Sequence, residues 1–178
     1  MGDLRPMKGR DAPQKGAGTP LEINGWKIYV WSEFRDRWTA LRHRVEALRQ
    51  TDPDGYRSRP ETKFFAAVRN LILTEIPADP AASHFRQGKT MGSSNMHWRR
   101  AKFMRRFRLF FRYHTTSKTI IYVWLNDEHT LRKAGASSDV YRVFTGMLSR
   151  GNPPTDWDAL VEACERWSAT DAEVPPVP

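Results

Sequence analysis

Residues 97–113 read HWRRAKFMRRFRLFFRY, with seven arginines or lysines and no carboxylate. Guanidinium groups at this density, with no acid to pair them, are donors for phosphate oxygens, and their planar forks suit bidentate contact. The aromatic residues between them offer faces on which nucleobases stack. In an extended chain alternate side chains face opposite ways. Phe107, Leu109, Phe111 and Tyr113 therefore share one face of a strand, and Arg106, Arg108, Phe110 and Arg112 the other. The preceding run splits the same way, with Trp98, Arg100 and Lys102 on one side and Ala101 and Phe103 on the other. Matching like faces pairs Phe103 with Phe107 and leaves Met104, Arg105 and Arg106 as a three-residue turn. Lys102 then lies opposite Arg108, and Arg100 opposite Phe110. Like charges facing each other across strands cost about 0.2–1 kcal/mol per pair. The bland reading is a solvated face whose arginine stems cover apolar surface. The sharper one is an anion platform with Trp98 and Phe110 free to stack on bases, and a solvated face normally mixes both signs.

The charge distribution favours the platform. The chain of 178 residues carries a net charge of +9, and residues 80–126 hold ten of its 29 Lys and Arg with no Asp or Glu. Elsewhere 19 basic residues face 20 acidic ones, so the excess belongs to one segment. A confined basic patch is the footprint of a polyanion partner. A single cysteine excludes an intrachain disulfide and suits a reducing cytoplasm. No apolar run is long enough to span a bilayer, so no membrane role is expected.

The elements that must position these residues follow from periodicity. Residues 1–19 and 168–178 are rich in Gly, Pro and small polar residues and read as flexible tails around one domain, 20–167. GWKIYVWS alternates as a strand. Phe34, Trp38, Leu41, Val45 and Leu48 mark an amphipathic helix, and Pro60 opens a second with Phe64, Val68, Leu71 and Ile72 inward. Their short connection predicts a helical hairpin. Residues 77–96 form a long loop of the kind that is usually functional, and within it His84, Arg86 and Lys89 can reach backbone phosphates. Three strands follow, HWRRAKF, FRLFFRYHT and KTIIYVWLN, and then a helix with Val140, Phe144 and Met147 on one face. Thr155 and Asp158 suggest a capping box for a last helix, lined inside by Trp157, Leu160, Val161, Cys164 and Trp167. Asn126–His129 is the densest metal-ligand cluster but reads better as a turn, so no metal site is expected. His97 is either an RNA contact or a polar residue at the strand edge. Tyr141 fits either a site role or the core, because it shares helical spacing with Phe144 and Leu148.

The stretches INGWKIYV, FRQGKTMGS, RLFFRY, WLNDEHTLRKAG and GNPPTDWDAL, in this order from Ile23 to Trp167, resemble YhaV-type toxins of the RelE superfamily. The resemblance implies an α+β, RelE-like fold: an antiparallel sheet packed against an N-terminal helical hairpin, with C-terminal helices. It also implies the toxin of a type II toxin–antitoxin system, an endoribonuclease that cleaves messenger RNA, possibly on the ribosome, and so arrests translation and growth. The implied partner is a PrlF-type antitoxin. The implied chemistry is attack of the RNA 2′-hydroxyl on phosphorus, without metal or other cofactor. Carried over by motif, Arg100 and Lys102 form the basic pair of one strand and Arg108 the arginine of the next, with Arg132 and Tyr141 completing a catalytic set. Trp98, Arg105, Arg106, Phe110, Arg112, Arg86, Lys89 and His97 are the expected RNA contacts. The family turn between the basic strands usually contains glycine, which Met104–Arg106 lacks. A non-catalytic RNA- or DNA-binding module on the same face is the alternative.

Overall fold

A computed structural model describes residues 18–172. The strands are β1 (Glu22–Ile23), β2 (Trp26–Val30), β3 (Arg99–Phe103), β4 (Phe107–His114), β5 (Thr119–Leu125) and β6 (Glu165–Arg166). The helices are α1 (Ser32–Thr51), α2 (Pro60–Asn70), α3 (Ile76–Ala78), α4 (Val140–Ser149), α5 (Trp157–Ala163) and α6 (Ala169–Ala172). The sheet runs β1-β2-β5-β4-β3, and β6 pairs with β2 beyond β1. It is mixed, not antiparallel throughout as expected, because β2 and β5 run parallel, with Lys27 beside Thr119 and Val30 beside Tyr122. The long connection between β2 and β5 permits this, since a parallel pair needs a crossover and cannot be closed by a hairpin.

Both faces of the sheet are covered. On one, Phe34, Trp38, Leu41 and Val45 of α1 and Phe65 and Val68 of α2 pack against Ile28, Leu109, Phe111, Ile120 and Tyr122. Trp38 and Phe65 stack with ring centres 4.6 Å apart. The helical path from α2 to α3 widens into a π turn at Leu71–Glu75, and the fully buried Tyr122 hydroxyl donates to Ile72 O at 2.6 Å. On the other face, Val140, Phe144, Met147 and Leu148 of α4 and Leu160 of α5 cover Trp98, Phe110, Ile121 and Val123. A bulge between Phe110 and Phe111 shifts the β4–β5 register and gives Val123 and Trp124 to this same side.

Helix α5, expected to be the last, differs from expectation. Asp156, not Thr155, caps it, accepting from Ala159 N at 3.0 Å, and it ends at Ala163. Cys164 sits at its C-cap, half-buried, with its thiol pushed up to about 12 by burial and by Glu165. Trp167 leaves the helix altogether and is buried on the α1 face, edge-on to Trp38. The intervening β6 carries the chain across, and the pairing of Glu165 with Arg35 holds it there. The expected N-terminal tail lies outside the described residues but for Gly18 and Thr19, and the C-terminal one but for Ser168–Ala172. Thr19 O accepts from Ala169 N at 2.8 Å, and Ala172 is buried.

Candidate active site

The β3–β4 hairpin has the register that parity demands: Phe103 faces Phe107, Lys102 faces Arg108 and Arg100 faces Phe110. Met104 and Arg105 form the turn in the left-handed region, at φ 44° and 64°, a conformation that non-glycine residues adopt at a cost of about 1 kcal/mol each. The conformation follows the twist of the flanking strands, which explains how the turn forms without glycine. It leaves Arg105 and Arg106 exposed at the tip.

Arg100, Lys102 and Arg108 thus lie on one side of the sheet, the side covered by α4. Arg100 and Arg108 are 8% and 6% exposed, so the solvated-face reading fails for them. Both converge on Tyr141: Arg100 Nε donates to its Oη at 2.9 Å and Arg108 Nε at 3.0 Å. Their remaining bonds go to backbone, Arg100 Nη1 to His84 O and Arg108 Nη1 to Arg105 O and Phe107 O. Among the described residues no carboxylate forms an ion pair with Arg100, Lys102 or Arg108. Buried cations without counter-charge are held at a cost of several kcal/mol that a bound anion would offset. A phenolic oxygen has two lone pairs and one proton. With both lone pairs engaged by guanidinium groups, Tyr141 has its proton left to donate.

Arg132 completes the group from the loop after β5. Its guanidinium lies over the Tyr141 ring, 5.0 Å from the centre, and pairs with Asp139 Oδ1 at 2.6 Å. Asp139, 5% exposed, also accepts from Lys133 N at 2.6 Å and caps α4 through Tyr141 N at 3.1 Å. Burial works to raise its carboxyl, but Arg132 and the two backbone donors outweigh that and hold it below the ordinary aspartate value. The loop is tied to the hairpin by Arg132 N to Arg106 O at 3.0 Å and Arg106 Nε to Arg132 O at 3.1 Å. Asn126, fully buried, accepts from Arg108 N at 2.7 Å. Asp127 closes the following turn through His129 N and Thr130 Oγ1, so the Asn126–His129 run is a structural turn. Asp139 and Asn126 are the contributors that sequence reasoning missed. The signal for Asp139 was its place directly before the apolar run of α4, where aspartate caps.

Tyr141 lines a cavity of about 450 Å³, together with Arg132, Asp139, Arg142, Thr90 and Met91. Lys102, Arg105, Arg106, Arg86, Lys89 and His97 are exposed. Arg86 stands at the sheet edge, bridged to Arg99. Partial burial of the ring, with Arg112 and Arg99 nearby, lowers the His97 imidazole below its usual value. Arg112 lies between the Trp98 and Trp157 rings, 5.3 Å from each, and donates to Thr155 O. Two expected stacking residues are core instead. Trp98 and Phe110 are fully buried: Phe144 of α4 stacks on Phe110 at 4.1 Å and meets Trp98 edge-on at 5.1 Å. Neither can receive a base, because α4 occupies the position where the base would lie.

Fold and site together define a small, basic α+β protein in which two buried guanidinium groups, without a carboxylate partner among the described residues, meet on one tyrosine oxygen. A model of a family described as toxins with endonuclease activity, of toxin–antitoxin systems, matches residues 28–165. The chain is 44% identical over 148 residues, 82% of its own length and 96% of the relative's, to the toxin YhaV of Escherichia coli O6:H1. It is 43% identical, with the same coverage, to the ribonuclease toxin YhaV of Escherichia coli K12. The chain belongs to the YhaV toxin family. No solved structure matches it.

Proposed function

We propose that this chain is the ribonuclease of a type II toxin–antitoxin pair and that Arg100, Arg108, Arg132 and Tyr141, with Lys102 at the rim, form its catalytic centre. The observation that carries the proposal is the convergence of two buried, acid-free guanidinium groups on one tyrosine oxygen, next to an open cavity. The 2′-oxygen attacks phosphorus and releases its proton to water. The P–O5′ bond breaks, its electron pair leaves with O5′, and Tyr141 Oη supplies the proton that O5′ takes up. The products are a 2′,3′-cyclic phosphate and a 5′-hydroxyl. Arg100 and Arg108 stabilise the phosphorane, which carries more negative charge than the substrate, at about 3 kcal/mol per well-placed donor. Arg132, held by Asp139, keeps the phenol ring in place and lines the path of the strand. Proton transfer by a positioned group adds about 10²–10⁴-fold.

Arg105, Arg106, Arg86, Lys89, His97 and Arg112 hold the RNA backbone on either side of this centre. The substrate is messenger RNA, free or on the ribosome, and its loss stops translation and growth in the cytoplasm. A PrlF-type antitoxin is the inhibitor. The domain spans 20–167 and is RelE-like in kinship. The test is an RNA oligonucleotide and its analogue with 2′-deoxyribose at the cut position, incubated in excess EDTA. The RNA is cut to cyclic-phosphate and 5′-hydroxyl ends and the analogue stays whole. Cleavage of the analogue, or cleavage that needs added magnesium, overturns the mechanism. Stoichiometric RNA binding with no cleavage overturns the enzyme reading in favour of the binding module.

A further inference from the structure

Part of the cavity's lining carries no charge. Thr90 and Met91 belong to residues 87–95, a surface loop closed around Gln87, whose side chain is only 4% exposed. Gln87 Nε2 donates to Asn95 O at 2.8 Å, and Gln87 Oε1 accepts from Met91 N at 3.3 Å. Asn95 Nδ2 donates to Met91 O at 3.0 Å, so the Met91 backbone is held on both sides. Gly88 and Gly92, at φ 62° and 87°, form the corners that let so short a loop close. Burying a side-chain amide is unfavourable unless its groups are bonded; here those bonds fix one loop. The Met91 side chain, 4% exposed, packs with Trp98 and Phe144 beneath. This wall is rigid.

A phosphate needs donors, which the arginines supply. The Thr90 hydroxyl already donates, to Gln87 O at 2.7 Å. Its oxygen offers lone pairs only, which repel a phosphate and suit an amino or ring N–H group. Met91 and the small Ala134, Gly135 and Ala136, which also line the cavity, leave room for a flat heterocycle. The volume fits one nucleotide.

We propose that this slot holds the nucleobase next to the bond that is cut, with Thr90 Oγ1 accepting from the base edge and Gln87 positioning the loop. Base preference then resides in residues 87–95, not in the cationic strands. The inference rests on the ribonuclease reading and specifies its substrate contact.

Equilibrium dialysis of the full chain against the four nucleoside 3′-monophosphates and against inorganic phosphate tests it without catalysis. The expected result is a spread of about tenfold among the four, the upper end of what one hydrogen bond contributes. Thr90→Val compresses that spread, Gln87→Ala weakens all four, and inorganic phosphate binds each variant as it binds the parent. Mapping the 5′ ends of a long RNA after digestion gives the second arm: the parent favours particular bases at the cut, and Thr90→Val flattens the preference. Equal affinity for all four monophosphates, or a spread that survives Thr90→Val, overturns the slot. If the parent cuts RNA with a flat profile, the slot falls and the ribonuclease reading stands. If it cuts no RNA yet the dialysis results hold, the ribonuclease reading falls, and with it the slot's place beside a cut bond, while base binding at Thr90 stands.

Discussion

Asp139 joins Arg132 to the start of α4, pairing with the guanidinium through Oδ1 at 2.6 Å while capping Tyr141 N through Oδ2 at 3.1 Å. One carboxylate thereby sets two parts of the site, the helix that carries the phenol and the cation over its ring. Asp139→Ala removes cap and pair together and lowers stability by about 1–3 kcal/mol, read as a shift in the urea midpoint. Asp139→Asn keeps an oxygen for the cap and loses less stability, but leaves Arg132 unpaired and cuts activity. Asparagine at this position with full activity would mean that Arg132 needs no anchor.

The same carboxyl predicts a pH dependence. Its folded value lies below the ordinary 3.8, so the native state binds fewer protons there than the unfolded chain, and stability rises with pH through this range. The contribution is complete above the unfolded value and is lost as pH falls through the folded one. Urea midpoints of the parent and Asp139→Asn should therefore converge below pH 4 and separate above it. A constant gap from pH 2 to pH 6 would contradict the assignment.

Arg105 sits in the left-handed region at the hairpin tip, exposed. Arg105→Gly should raise stability by about 1 kcal/mol by relieving that backbone. It should also weaken RNA binding and reduce the log–log salt slope by about 0.7, the value for one phosphate contact on a single strand. Gains in both stability and affinity would show that Arg105 makes no RNA contact.

Phe110 separates the two meanings of an aromatic residue on a basic strand. Buried between Trp124 and Phe144, it should cost about 3–5 kcal/mol when cut to Ala, as a core phenylalanine does. RNA affinity measured on the folded fraction should hold. A loss of affinity with normal stability would restore the stacking role.

Parity carried much of the site. It specified the hairpin register, the three-residue turn and the shared side of Arg100, Lys102 and Arg108, because a strand with one apolar face tolerates no slip. Parity names a face, though, and not what lies over it. Phe110 and Trp98 looked available because nothing local says that α4, thirty residues later, packs there. The parallel pairing of β2 with β5 and the departure of Trp167 to the α1 face share that cause: each is decided by distant packing. Tyr141 stood between core and site in the sequence; its ring is packed, and its oxygen accepts from two guanidinium groups. The family resemblance pointed to the same residues but not to Asp139, whose part appears only when the loop after β5 folds back on the hairpin.

The central claim is that Arg100, Arg108 and Tyr141 act together on the reacting phosphate. Single-turnover cleavage of a saturating RNA by Tyr141→Phe and Arg108→Ala, with RNA affinity and folding measured on the same samples, tests it most directly. The account predicts rate losses of about 10²–10³-fold in each folded variant, affinity within a few-fold of the parent, and a double variant little worse than either single one. Near-parental rates in folded Tyr141→Phe, or rate and affinity falling in step in both variants, would contradict it.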